Sequence, residues 1–178
     1  MPPFDPTAFG PAVAPLLAGD RLPELGPGQP NLAAKPLLQS LTVETLFPSD
    51  ATDPEMARAC LAGLWLLHDF LDESHAISQE IDTPTGSFFH GILHRREPDY
   101  GNAKYWFRRI GPHPVLPIIA DAAAECGFDP KTWSPIAFVD LCERHYGSGS
   151  EAELALRHVQ RREWQLLFAW CWRSASSG

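Results

Sequence analysis

Residues 54–80 read PEMARACLAGLWLLHDFLDESHAISQE, and this stretch decides the fold class. Asp53 before Pro54 has the chemistry of an N-cap followed by the first helical residue. No proline interrupts the run before Pro84, so the spacing predicts one long helix over 54–80. At 100° per residue, Leu61, Leu64 and Trp65 form one stripe, which His68, Asp72, His75 and Gln79 continue. Arg58, Asp69, Glu73 and Glu80 fall on another side. The phase therefore places His68, Asp72 and His75 inside, and Asp69 and Glu73 in solvent. An inward stripe that turns from apolar to polar needs partners, because each unsatisfied buried polar group costs about 1–3 kcal/mol. Either these side chains satisfy one another in a closed structural network, or they line a pocket.

Working outward, turn and cap signals divide the rest into further helices. Thr83-Pro84-Thr85-Gly86 is a turn, and helices are expected over 87–96, 99–110, 113–126, 134–146 and 150–173. Ser134-Pro135 starts one, Gly127 and Gly147 stop two, and Ser150-Glu151-Ala152-Glu153 has the pattern of a capping box. Strand-like alternation is absent. The expected architecture is all-α: a compact bundle of about six helices over residues 51–178. Ten of the 18 prolines fall in the first 48 residues. Residues 1–50 therefore read as an extended arm with short turns near 7–17 and 33–41, pinned across the bundle by its leucines.

With 178 residues the chain is long enough for one domain with a real core. Its formal charge of −8 argues against nucleic acid as a partner. No apolar run reaches membrane-span length, and Met1 is not followed by a basic and then an apolar leader segment. Cys60, Cys126, Cys142 and Cys171 form no CxxC pair and read as buried free thiols. Together these features lead us to expect a cytoplasmic protein; oligomeric state is left open.

The chemistry concentrates beyond residue 67. His90 and His94 sit at i,i+4 on one helix face, and the short Thr83–Gly86 link should fold that helix back against His75. His68, Asp72, His75, His90 and His94 are thus the candidate ligands of a divalent metal, although their spacing completes no known metal signature. The pair His68-Asp69 alone does not make a histidine–aspartate phosphohydrolase, since no histidine precedes His68. On the last helix Glu163 lies within an apolar arc of Leu156, Val159, Leu167 and Trp170. A carboxylate there is either a general acid or base of raised pKa or one half of a buried ion pair. Residues 88–113 hold five basic and two acidic residues, a net +3, against −11 for the remainder. Such an island suits a small anion, with Arg95, Arg96 and Asn102 holding it and Trp106 as an aromatic wall. At least one of Arg95 and Arg96 should then reach the pocket mouth.

The stretches LHDFLDESHAISQEI and TGSFFHGILHRREPDYGNAKYWFRRIGPHPV resemble a group of uncharacterised microbial proteins of similar size. The resemblance covers most of residues 60–115 and implies no catalytic roles. The functional expectation rests on the residues alone. It is an enzyme acting on a small anionic or polyhydroxylated metabolite by acid/base or metal-assisted chemistry. Asp72, His75, His90, His94 and Glu163 would be the catalytic groups. A non-catalytic small-molecule binding or regulatory module, and a structural protein with a closed polar network, stand as alternatives.

Overall fold

The computed structural model describes residues 4–49 and 51–176; residues 1–3 and 50 of the expected arm, and 177–178 at the other end, lie outside it. The described residues are all-helical, with no strand among them. A 3-10 turn, Pro6–Phe9, and three short helices, α1 (Ala14–Leu17), α2 (Lys35–Ser40) and α3 (Val43–Leu46), occupy the arm. Seven helices follow: α4 (Pro54–Leu67), α5 (Leu71–Ser78), α6 (Pro84–Arg96), α7 (Tyr100–Arg109), α8 (Leu116–Glu125), α9 (Pro135–His145) and α10 (Glu151–Ser176). Among the described residues ten helices replace the expected six or so, because the arm turns are helical and the first long helix is two.

The starts follow from capping chemistry. The Asp53 carboxylate accepts from the amides of Glu55 and Met56, at 3.0 and 3.1 Å. Thr83, Asp99 and Ser134 cap α6, α7 and α9 in the same way. Ser150 Oγ accepts from the Glu153 amide, but the Glu153 carboxylate turns back to the amides of Gly147 and Gly149 and leaves the capping box half made.

The break between α4 and α5 overturns the single-helix expectation. Asp69 adopts φ = 64°, in the left-handed region. The Phe70 amide donates to the Trp65 carbonyl (3.1 Å) and the Asp69 amide to that of Leu66 (3.2 Å). These two bonds define a Schellman ending, and the usual apolar contact comes from Phe70 against Trp65, ring centroids 5.3 Å apart. Asp takes the position that Gly usually fills, so the sequence carried no glycine signal there; a short polar side chain tolerates this conformation. Asp69 is buried beside Arg21 and Arg96, which both pair with its carboxylate, and Asp72 is exposed. The expected placements of these two aspartates are therefore reversed.

The core is built on α6 and α10. Every residue of α6 from Thr85 to Arg96 is buried, enclosed by α4, α5 and α7. On α10, Leu167, Phe168 and Cys171 are fully buried against α4, and the Trp164 indole donates to the Gly63 carbonyl at 2.9 Å. The arm belongs to this same core through Phe9, Val13, Leu16, Leu17, Leu38, Leu46 and Phe47. Polar ties reinforce it: Arg157 donates to the carbonyls of Leu22 and Pro23, and Gln160 to that of Glu24. Gly28 is required where it sits, because a Cβ there would lie 2.7 Å from the Asp69 carboxylate. Among the described residues, no helix is long and apolar enough to cross a membrane. All four cysteines are free; Cys126 is half-buried and the other three are buried.

Candidate metal centre

Three histidines converge where α5, α6 and α7 meet. His90 and His94, one turn apart on α6, stack at 4.7 Å between centroids with planes 17° apart. His75 arrives from α5, 4.8 Å from His90 and 5.1 Å from His94, edge-on to both. One potential ligand atom from each ring lies within 4.8 Å of the other two, a grouping that could hold a metal ion. His68 and Asp72 are not part of the group. The α4–α5 break removes them from the common stripe that one continuous helix would have provided.

The surroundings treat the three rings differently. His90 is 3% exposed, stacks on Trp106 at 4.1 Å, and neither ring nitrogen has a hydrogen-bond partner among the described residues. Burial, then the neighbouring His94 and His75, pull its pKa down to about 4, so the ring is neutral near pH 7. His94 is buried as well, and burial also lowers its pKa, against the opposing pull of Glu97. Its Nδ1 lies 3.0 Å from Glu97 Oε2. Because a carboxylate only accepts, Nδ1 carries the proton, and the Nε2 lone pair receives the Asn102 amide at 3.1 Å. The other Glu97 oxygen lies 3.9 Å from His75 Nδ1. The His75 and Glu97 side chains, 35% and 27% exposed, form the solvent side of the group. Trp106 is also approached by the Arg109 guanidinium, 5.3 Å from its ring.

The other candidate residues are committed elsewhere. Arg95 is wholly buried; it pairs with Glu163, reaches Gln160 Oε1 at 3.4 Å, and lies over the Phe138 ring at 4.5 Å. Glu163 is wholly buried in that same pair, away from the histidines. Arg96, 2% exposed, pairs with Asp69 and donates to the carbonyls of Leu66 and Gly26. The expectation that Arg95 or Arg96 reaches a pocket mouth fails, because Glu163 and Asp69 draw both guanidinium groups inside. His68 donates from Nε2 to the Leu16 carbonyl and accepts from Asn31 at Nδ1, both at 3.0 Å, which ties the arm to the end of α4.

Two residues escaped the sequence reading. Glu97 carried a usable signal: it stands three positions after His94, on the same helix face. His113 carried none; its Nε2 meets Thr85 Oγ1 at 3.0 Å across distant sequence. Comparisons with family models, with curated proteins and with solved structures found no match.

Proposed function

We propose that His75, His90 and His94 bind one divalent transition-metal ion of the zinc class. We further propose that the protein is an enzyme using it on a small polar metabolite. The observation that carries this reading is His90, a buried ring with both nitrogens unpartnered inside a three-histidine group. A buried imidazole without a partner forfeits about 1–3 kcal/mol, and a metal bond to one nitrogen would recover it. Neutral imidazole is the binding form, and the depressed pKa of His90 keeps it ready at neutral pH.

Three histidines leave a fourth position for water or substrate, the arrangement of catalytic rather than structural zinc. A divalent ion there supplies Lewis acidity. Glu97 accepts the Nδ1 proton of His94 and so orients that ring with Nε2 bare, the usual outer partner of a ligating histidine. Its half-open second oxygen, near His75, is placed to take or return a proton at the solvent side. Asn102, whose amide now lies on Nε2, would have to give up that contact for His94 to ligate through Nε2, and would then be available to a substrate oxygen.

The closed-network reading fits a different set of residues. Asp69 with Arg21 and Arg96, and Glu163 with Arg95, are buried ion pairs that hold the arm and α10 in place, with only the Nε atoms of Arg95 and Arg96 left without a partner among the described residues. The test of function is turnover. The zinc-loaded protein, the chelated protein and Glu97→Gln are incubated with a panel of carboxylated, phosphorylated and polyhydroxylated metabolites, and products are read by mass spectrometry. Turnover that needs both zinc and Glu97 supports an enzyme. Zinc binding without turnover of any compound reduces the centre to a binding or regulatory module.

A further inference from the structure

Beneath the arm, with none of the three histidines in its lining, lies a half-enclosed recess of about 340 Å³. Its apolar wall comes from Leu16 and Leu17 of α1, Leu37 of α2, Leu67 at the end of α4 and Trp164 of α10. The charged side chains among its lining residues are Arg21 and Arg161, both cations; among the described residues no Asp or Glu lines it. That is a selective arrangement in a chain of formal charge −8. His68 also lines the recess, and burial lowers its pKa, so it adds a neutral ring.

The two arginines are not equivalent. Arg21 is tied by Nε to the Leu67 carbonyl and by Nη2 to the Gln29 carbonyl and Asp69. Arg161 is loosely held: its Nη2 reaches the Gly19 carbonyl and the fully exposed Asp20, each at 3.5 Å, and its Nε and Nη1 have no partner among the described residues. The Arg161 guanidinium, one quarter exposed at the rim of an apolar recess, takes a carboxylate in paired hydrogen bonds through Nη2 and either Nε or Nη1, giving up the two long 3.5 Å contacts of Nη2 in exchange. The volume lies at the lower end of the roughly 300–1,000 Å³ typical of ligand pockets. It suits an acid with a compact apolar body rather than a long acyl chain.

We infer that this recess is a second binding site, which takes a small monocarboxylate by its acid group on Arg161 and its apolar body against Leu16, Leu37 and Trp164. The site owes nothing to a metal, so chelators leave it intact. The probe is 3-phenylpropionate, titrated calorimetrically into the chelated protein, with the uncharged 3-phenylpropionamide as its isosteric control. The expected result is saturable one-to-one binding of the acid and at least about tenfold weaker binding of the amide, since charge-assisted bonds are the stronger ones. Arg161→Gln should weaken the acid by a similar factor and leave the amide unchanged. Ala33→Trp, at an exposed position on the recess lining, should weaken both by narrowing the space. No saturable binding of the acid overturns the inference, and so does equal affinity for acid and amide. Binding that neither variant alters places the ligand elsewhere and overturns it as well.

Discussion

Acid should destabilise this protein in a way that one ring controls. His90 titrates at about 4 in the fold, against 6.5 for an unperturbed histidine. Its folded pKa is depressed, so as pH falls below about 6.5 the unfolded chain takes up the proton first and the fold loses stability. The loss continues until pH passes below about 4. For these two values the linkage relation gives a loss of about 2 kcal/mol between pH 8 and pH 5 from His90 alone. His68, His94 and His113 are shifted downward by burial too, so they add to the slope with the same sign. His90→Phe isolates the contribution: it keeps an aromatic ring stacked on Trp106 and cannot titrate. Urea unfolding in the presence of a chelator, at pH 8 and at pH 5, measures both proteins. The variant should lose about 2 kcal/mol less than the wild type over that interval, and it should be no less stable at pH 8, because it removes two unpartnered buried nitrogens. Equal losses in the two proteins would show that His90 is not held neutral in the fold, and the reasoning from its burial would be refuted.

Glu163→Gln should cost on the order of 3–5 kcal/mol, read as a large fall in the urea midpoint, because it leaves Arg95 buried without a counter-charge. Asp69→Asn keeps a residue suited to φ = 64° but removes the charge shared by Arg21 and Arg96. It should cost roughly 3 kcal/mol and loosen residues 21–31 first, a pattern visible in amide hydrogen exchange. Glu97→Gln should weaken zinc about 10- to 100-fold in competition with a chromophoric chelator, the usual effect of losing the outer partner of a ligating histidine.

The chain announces its helix starts and conceals its long-range pairings. Asp53 and Ser134 could be read because a cap is a local event, settled within three residues; Thr83–Gly86 read as a turn, whereas Thr83 caps α6 and the helix already starts at Pro84. The end of α4 could not, because Asp69 fills a glycine position and owes its stability partly to Arg21 and Arg96, 48 and 27 residues away. That one turn explains the misplacement of Asp69 and Asp72, and the separation of His68 from the other histidines. His90 and His94 were legible as a pair by helical spacing, and His75 joined them through the short link between α5 and α6. Arg95 and Arg96 misled for a related reason: a basic run looks available to a ligand until the carboxylates that claim it, Glu163 and Asp69, are located in space.

The metal content of the protein tests the central claim most directly. Protein stripped with a chelator, dialysed against excess zinc and desalted is analysed by inductively coupled plasma mass spectrometry beside His90→Phe treated identically. One zinc ion per wild-type chain and a small fraction of one in the variant are the predicted result. A wild type that retains no zinc, or a variant that retains as much, would contradict the assignment of His75, His90 and His94 as a metal centre.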